Sequence, residues 1–115
     1  MLRRPEEQPV EFKCIRNGIG ETEMKKLLSG ADELYGKGRM FNLMTLKPGR
    51  TIGNHTHEGD NEIFYFLSGT GIYNDNGTAV TVGAGDVAVC SDGESHGLEN
   101  RGEEPLVFIA LILYS

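Results

Sequence analysis

The sequence predicts an all-β protein, a sandwich or a barrel, from its glycine content and from the short apolar segments between the glycines. Glycine accounts for 16 of the 115 residues, about twice its usual share. Between Gly18 and Gly102 no glycine-free stretch exceeds ten residues. Long helices are therefore disfavoured, because an internal glycine costs about 1 kcal/mol relative to alanine. The intervening segments are rich in Val, Ile, Phe, Tyr and Thr, as expected of many short strands joined by turns.

The N-terminal third of the sequence is predicted to form strands that precede the barrel. Residues 10–15 are typical of a strand, and residues 30–38 predict a loop. Residues 21–29 fit either a strand or a helix, and we prefer a strand because their apolar residues alternate weakly. A boundary near residue 38 separates residues 1–38, strands and a loop that we expect to pack on the barrel or on a partner subunit, from a barrel domain of residues 39–115.

Turn signals divide the rest of the chain into short strands. Pro48-Gly49 suits the centre of a type II turn. Asn76-Gly77 predicts a type I′ hairpin, because both central residues of that turn need a positive φ. Residues 83–86 and 92–93 predict two more turns. Residues 106–114 are apolar on both faces, which predicts a central strand.

The composition excludes several classes of function. The formal net charge is −6, which is unfavourable for binding nucleic acid or an anionic membrane surface, since both require clustered Lys and Arg. The longest apolar run, residues 106–114, is less than half of a membrane-spanning helix. No apolar stretch follows the N-terminal arginines, so a secretory signal is not predicted. Two cysteines do not make a disulfide framework, and we expect a cytoplasmic protein with reduced thiols.

Three histidines and one glutamate form the candidate functional site. His55 and His57 are two residues apart, which on a strand places both imidazoles on one face, about 6–7 Å apart along the backbone. Glu62 begins the next predicted strand after a short link, and His96 can reach the same centre from another strand of a barrel. On its own, a His-x-His pair in a β protein is most often an incidental surface feature, so this interpretation needs a second signal.

Three imidazoles and one carboxylate predict a site for one divalent transition metal, Mn, Fe, Ni, Co or Zn, rather than for Ca or Mg. With four protein ligands, an octahedral ion keeps two positions for water, substrate or dioxygen. A single carboxylate leaves the centre near a charge of +1. A small anionic ligand is therefore electrostatically favoured there, despite the acidity of the whole chain.

The second signal is a resemblance to the cupin family over about residues 39–114. Five residues match the first cupin motif, Gly-x5-His-x-His-x4-Glu-x6-Gly: Gly49, His55, His57, Glu62 and Gly69. Four match the second motif, Gly-x5-Pro-x-Gly-x2-His-x3-Asn: Gly85, Gly93, His96 and Asn100. Ser91 stands where the family usually has proline. The chain is most similar to small single-domain cupins, loosely of the oxalate-decarboxylase-like type.

The resemblance implies a cupin jelly-roll β-barrel of two packed antiparallel sheets. It also implies that His55, His57, Glu62 and His96 hold the metal inside that barrel. Ser91 replaces a residue that shapes a turn, so it bears on the rigidity of the loop and not on metal binding. Asn100 is expected to bond the backbone near a turn.

Three further residues are candidates for the substrate pocket. Phe64 follows Glu62 on the same face of its strand, and we expect it to pack in the core, with a wall of the pocket as the alternative. Cys90 lies near the second motif; most buried cysteines are small core hydrophobes, and a position near the metal is the alternative. Arg50 precedes His55 by five residues and is a candidate for binding an anionic ligand.

The outer face of the strand that carries Glu62 predicts an interface. Ile63, Tyr65 and Leu67 alternate with the residues that face inward. They would expose apolar surface unless something covers it. The resemblance implies that N-terminal strands or a second subunit often cover such faces. We therefore expect a homodimer in which residues 10–28 contribute.

The predicted function is that of a metal-dependent enzyme acting on a small carboxylate or polyoxygenated substrate, of decarboxylase, dioxygenase or isomerase type. No general base stands out, since Glu58 and Asp60 lie in the link between ligands and are expected to face solvent. True oxalate decarboxylases carry an arginine three residues before the first ligand histidine, where this chain has Ile52. The alternative is a non-catalytic, metal-dependent small-molecule binding or sensor module, because the fold does not choose between them.

Overall fold

Ten strands and two single helical turns form the structure, a computed structural model that describes all 115 residues. The strands are β1 (Val10–Lys13), β2 (Thr22–Leu28), β3 (Gly38–Leu46), β4 (Thr51–Thr56), β5 (Asp60–Ser68), β6 (Thr70–Asp75), β7 (Thr78–Gly83), β8 (Val87–Cys90), β9 (Ser95–Glu99) and β10 (Leu106–Tyr114). A 3₁₀ turn, Pro5–Glu7, precedes β1, and α1 (Gly30–Glu33) lies between β2 and β3. None of the helices has the length and hydropathy required to cross a membrane.

The strands pair into two antiparallel sheets. One sheet has six strands in the order β1-β2-β3-β10-β5-β8, and the other has four in the order β4-β9-β6-β7. A cluster of twelve buried residues drawn from both sheets fills the space between them. Its side chains include Phe66, Phe108 and Leu106 from the six-stranded sheet and Leu98 from the four-stranded one, all with at most 1% of their surface exposed. The predicted all-β jelly-roll of two packed sheets is confirmed.

The predicted central strand and turns are also confirmed. β10 lies between β3 and β5, and its alternate residues from Leu106 to Ile112 are buried. Gly49 has φ +81°, and the N–H of Arg50 donates to the carbonyl of Lys47, as in a type II turn. Asn76 and Gly77 join β6 to β7 with φ values of 51° and 96°, as a type I′ turn requires.

The N-terminal residues extend the six-stranded sheet. β2 pairs with both β1 and β3, so the strand prediction for residues 21–29 is confirmed over the helical alternative. The loop predicted for residues 30–38 is wrong in part, because Gly30–Glu33 form one helical turn. The carboxylate of Glu33 accepts a hydrogen bond from the N–H of Ser29 and pairs with Arg3 at 2.7 Å, which holds this turn in place.

Between β1 and β2 the chain crosses the end of the barrel in what we call the crossing segment, residues 15–19. The carbonyl of Ile15 accepts hydrogen bonds from the N–H groups of Gly18 at 3.0 Å and Gly53 at 3.1 Å. The contact with β4 is so close that a Cβ on Gly53 would lie 1.8 Å from the carbonyl oxygen of Arg16. β1 therefore ends earlier than the predicted strand of residues 10–15, because the chain turns to reach β4.

We expect Gly53→Ala to lower the free energy of unfolding by about 1–3 kcal/mol, the usual cost of inserting a methyl group into a packed contact. The added Cβ would force the crossing segment away from β4. Urea denaturation followed by circular dichroism measures the change.

Gly83→Ala is the matched control for this substitution. A Cβ at Gly83 would meet its nearest atom at 3.7 Å, an ordinary contact distance, so we expect stability within about 0.5 kcal/mol of wild type. Equal stability of the two alanine variants would contradict the close packing of the crossing segment.

Candidate metal centre

The structure brings together the four residues that the sequence singles out. One ligating atom from each of His55, His57, Glu62 and His96 lies within 4.8 Å of the others. His55 is on β4, His57 lies one residue past its end, Glu62 is on β5, and His96 is on β9. The cluster therefore joins the two sheets at one end of the barrel interior.

A β-bulge in β4 sets the direction of these side chains. Ile52 pairs with Leu98 and His55 pairs with His96, so two residues of β4 oppose Gly97 of β9 alone. In a regular strand, Ile52 and His55 would face opposite sides because they are three positions apart. With the bulge, both line the same pocket. A Cβ on Gly97 would lie 1.9 Å from the side-chain Oδ1 of Asn54 and 3.2 Å from its Cα, so the two strands pack closely at the bulge.

Hydrogen bonds at Nδ1 of the imidazoles bear on whether Nε2 can act as an acceptor or a metal ligand. Nδ1 of His55 lies 2.7 Å from the carbonyl oxygen of Gly53, which can only accept, so Nδ1 carries the proton. Nδ1 of His57 lies 2.6 Å from a carboxylate oxygen of Asp60 and is a donor for the same reason. Nδ1 of His96 contacts the hydroxyl of Tyr73 at 2.8 Å, and that hydroxyl can accept.

The Nε2 atoms of neutral His55 and His57 are consequently acceptors, and both face Nε2 of His96. Nε2 of His96 lies 3.2 Å from Nε2 of both His55 and His57. A carboxylate oxygen of Glu62 lies 3.0 Å from His96 Nε2 and 3.1 Å from His57 Nε2. Acceptors at such distances repel unless a proton or a cation lies between them. These four groups therefore fit as ligands of a bound metal ion, since transition metals prefer neutral imidazole and carboxylate.

The pKa values of the cluster shift in different directions, because burial and hydrogen bonding act on them with opposite effects. The hydrogen bond to Glu62 raises the pKa of His57. Burial lowers the pKa of His55, and the charges of His96 and Arg16 add to that effect. Burial by itself would raise the pKa of Glu62, but hydrogen bonds to His57 and His96 outweigh it and hold that pKa below its usual range. The glutamate is therefore a carboxylate at neutral pH, ready to bind a cation.

Asp60 supports His57 from behind, which sequence reasoning missed. We expected Asp60 to face solvent with Glu58, and that is wrong for Asp60: it is 7% exposed, whereas Glu58 is exposed. Its second carboxylate oxygen accepts from Nε of Arg39 at 2.9 Å. Burial favours the neutral form of Asp60, but the hydrogen bonds to His57 and Arg39 outweigh it and lower the pKa. An acidic residue three positions after His57 is the signal that could have indicated this contact.

Tyr73 supports His96 in the same way and was also missed. It is buried in the core, on β6, and its hydroxyl meets Nδ1 of His96. Burial raises its pKa, so the phenol stays protonated. No sequence signal links the two residues, because β6 and β9 pair only in the folded sheet.

A pocket of about 350 Å³ opens beside the cluster. Its lining combines apolar side chains with three cations, and its residues are Lys13, Ile15, Arg16, Met24, Arg39, Met40, Met44, Ile52, His55, His57, Glu62, Phe64 and Ile112. Ile15 and Arg16 were missed as pocket residues because the path of the crossing segment depends on its contact with β4.

The three other candidate residues occupy different places. Phe64 is in the core and also lines the pocket, where its ring stacks on His96 with centroids 5.1 Å apart. Cys90 is buried opposite Glu62 on β8 and does not line the pocket; burial raises its pKa to about 11. Arg50 donates to the carbonyl of Glu21 at 2.8 Å and also lies outside the pocket.

Two motif residues shape the surroundings of the site. The side-chain amide of Asn100 donates to the carbonyls of Leu46 at 2.8 Å and Glu104 at 2.9 Å, which confirms its expected bonding to the backbone. The N–H of Ser91 donates to a carboxylate oxygen of Glu94 at 2.8 Å. A proline at this position could not donate that bond, so the serine holds the turn by a different contact.

The fold and the cluster together define a jelly-roll β-barrel with a candidate metal site of three histidines and one glutamate at one end. A family model described as the cupin domain matches residues 42–112. The chain belongs to the cupin family.

Two similar proteins come from Thermotoga maritima. One is named an oxalate-binding protein and is 43% identical over 113 residues, which cover 98% of this chain and 93% of that protein. The other is a crystal structure described as a predicted oxalate decarboxylase, with a TM-score of 0.94 and 43% identity over 100% of both chains. A Klebsiella pneumoniae protein with a double-stranded β-helix domain matches with a TM-score of 0.70 and 25% identity, covering 88% of this chain and 84% of that one.

Asp60→Ala should weaken metal binding by roughly tenfold to a hundredfold, because His57 loses the carboxylate that orients its ring and keeps the proton on Nδ1. Competition against a fluorescent chelator measures this affinity.

The control for this prediction is Glu58→Ala, which removes an exposed carboxylate from the same link and should leave metal affinity unchanged. If both variants bound metal equally well, the supporting role of Asp60 would be refuted.

Proposed function

We propose that the protein binds a small carboxylate, with oxalate as the first candidate, through one divalent transition metal held by His55, His57, Glu62 and His96. The observation that carries this proposal is the set of facing acceptor atoms within 4.8 Å, beside a pocket with three cationic side chains. When bound, the metal supplies Lewis-acidic positions for the oxygen atoms of the ligand.

The size and charge of the pocket support a small anion. A volume of about 350 Å³ is at the lower end of the range for small-molecule sites. Lys13, Arg16 and Arg39 line it, and Glu62 is the one carboxylate in the lining. The name of the Thermotoga maritima relative, an oxalate-binding protein, agrees with a ligand of this class.

We prefer binding over catalysis because few side chains in the pocket are available to exchange a proton with a ligand. His55, His57 and Glu62 are taken up by the metal in this proposal, and Asp60 is occupied by His57 and Arg39. Arginine does not deprotonate in proteins. Lys13 is then the one lining side chain free to act as an acid or base.

A second candidate function is the decarboxylation of a small oxyacid. It is favoured by the similarity to a structure described as a predicted oxalate decarboxylase. Decarboxylation needs a proton for the product, and Lys13 at the pocket is the group placed to give one.

Metal-loaded protein should contain about one transition-metal ion per chain and should melt at a higher temperature in oxalate. A ligand at one hundred times its dissociation constant stabilises the native state by about 2.7 kcal/mol. His57→Ala and chelator-treated wild type should lose both properties. Plasma mass spectrometry and thermal melts measure them.

Oxalate also chelates free metal, so the metal content is measured again after dialysis against oxalate. Retained metal with a raised melting temperature supports the proposal. Identical melting of the metal-loaded protein with and without oxalate and with other small carboxylates would overturn it. Formate production, followed by mass spectrometry over many hours, would establish the second candidate.

We also propose that a second copy of this chain covers the outer face of the six-stranded sheet. The cross-strand pair of Tyr65 and Val87 lies on that face, and both side chains are exposed, Val87 by 61%. Val10 and Phe12 of β1, within residues 10–28, are exposed as well. Exposed apolar side chains near both edges of one face suit an interface, and a two-fold axis can pair such a face with itself.

Val87→Asp should convert a dimer of twice 12.6 kDa to a monomer, because it would bury a charge at the interface. Light scattering after size exclusion measures the mass. Val80→Asp changes an exposed valine of β7 on the other sheet and should remain dimeric. A monomeric wild type at micromolar concentration would disprove the dimer.

A further inference from the structure

Arg16 reaches the pocket from the crossing segment. It lines the 350 Å³ pocket beside the histidine cluster and also an adjoining polar cleft of about 220 Å³. The cleft is lined by Arg16, Arg39, Thr56, His57, Glu58 and Asp60. Arg16 therefore lies where the two spaces meet, at the entrance to the candidate metal centre.

Of the two arginines at this entrance, Arg16 is the one that has no ion pair within the protein. Nε of Arg39 is paired with Asp60 at 2.9 Å. Arg16 takes part in none of the seven ion pairs of the structure, and its side chain forms no hydrogen bond within the protein. A guanidinium left without a partner beside a small cavity can bind a carboxylate through two parallel hydrogen bonds.

The backbone holds Arg16 at an energetic cost. Arg16 and Asn17 have φ values of 53° and 58°, and the N–H of Gly18 donates to the carbonyl of Ile15 across them. This geometry favours Asn-Gly, and an arginine in the left-handed region is disfavoured by about 1–2 kcal/mol. The turn is nevertheless fixed by two hydrogen bonds at its C-terminal end. The N–H of Thr51 donates to the carbonyl of Ile19, and the N–H of Ile19 donates to the hydroxyl of Thr51. Strain of this kind is enriched at ligand-binding sites, and Arg16 combines it with a place in the lining of the pocket.

We propose that Arg16 binds the anionic group of the ligand that points away from the histidine-glutamate cluster, and so makes the site select dicarboxylates over monocarboxylates. This inference rests on the proposed function and names the residue that determines its specificity. A ligand with one carboxylate on the metal and another on Arg16 gains a contact that a monocarboxylate of the same size lacks. Lys13 adds positive charge to the pocket but has no planar fork with which to hold a second carboxylate.

The test is calorimetric titration of metal-loaded protein with oxalate and with glycolate, which replaces one carboxylate by an alcohol. We expect Arg16→Gln to weaken oxalate binding by roughly tenfold to a hundredfold and glycolate binding by much less. The Arg16→Lys variant keeps the charge and should lie in between. Metal content, measured by plasma mass spectrometry, should be unchanged in both variants, because Arg16 is not among the candidate ligands.

Arg101→Gln is the matched control, since it removes the same charge from an exposed arginine outside the pocket. It should leave both affinities as they are. The inference is overturned, with the proposed function intact, if the wild type binds oxalate and Arg16→Gln binds it equally well or loses oxalate and glycolate by the same factor. A wild type that binds neither anion nor other small carboxylates overturns the inference and the proposed function together.

Discussion

The arrangement of the site depends on one constraint, the repulsion among acceptor atoms that point at a common centre. The carbonyl of Gly53 and the carboxylate of Asp60 fix protons on Nδ1 of His55 and His57. Their Nε2 atoms then face His96 and the carboxylate of Glu62 at 3.0–3.2 Å. Only a proton or a metal ion can relieve this arrangement. A group of buried polar atoms that costs stability when empty becomes a source of stability when a cation binds, because binding to the native state alone shifts the folding equilibrium.

Two close contacts at glycines hold the walls of this site in register. Gly97 of β9 accommodates the bulge of β4, and Gly53 in that bulge accommodates the crossing segment. The same few residues of β4 therefore aim His55 inward and anchor the turn that carries Arg16. A change in the bulge would disturb both, so the metal centre and the entrance to the pocket are mechanically linked through β4.

The sequence predicted the parts of this arrangement that are local. The β class, the hairpin at residues 76–77 and the central strand β10 follow from turn chemistry and alternation, which act over a few residues. The convergence of His55, His57, Glu62 and His96 was predicted with the help of the cupin resemblance. Glu94 is a local contact that we did not predict: its bond to the N–H of Ser91, three residues away, replaces the stiffness of a proline, and the Ser-x-x-Glu spacing could have indicated it.

The pocket was less accessible to sequence reasoning, because its cations come from pairings distant in the chain. Arg39 is drawn to Asp60, 21 residues away, and Arg16 is placed by contacts with residues 51–53. Arg50, a candidate from the sequence although alternation places it off the face of the ligands, bonds to Glu21 instead. The β4 bulge is hard to predict for a related reason: it changes which residues share a face, and it depends on the partner strand as much as on its own sequence.

The net charge of −6 does not oppose an anionic ligand, because the field inside the pocket is set by nearby groups. Charges farther than about 8–10 Å away are largely screened by physiological salt when they face solvent. The charges that remain are those of the lining: Lys13, Arg16 and Arg39 against Glu62. Of these, Arg39 is neutralised by Asp60 and Glu62 by the metal in the proposed complex. Lys13 and Arg16 are then the two unbalanced charges, and only Arg16 has a planar fork that fits a carboxylate, which is why the ligand's second anionic group is expected to bind at the crossing segment.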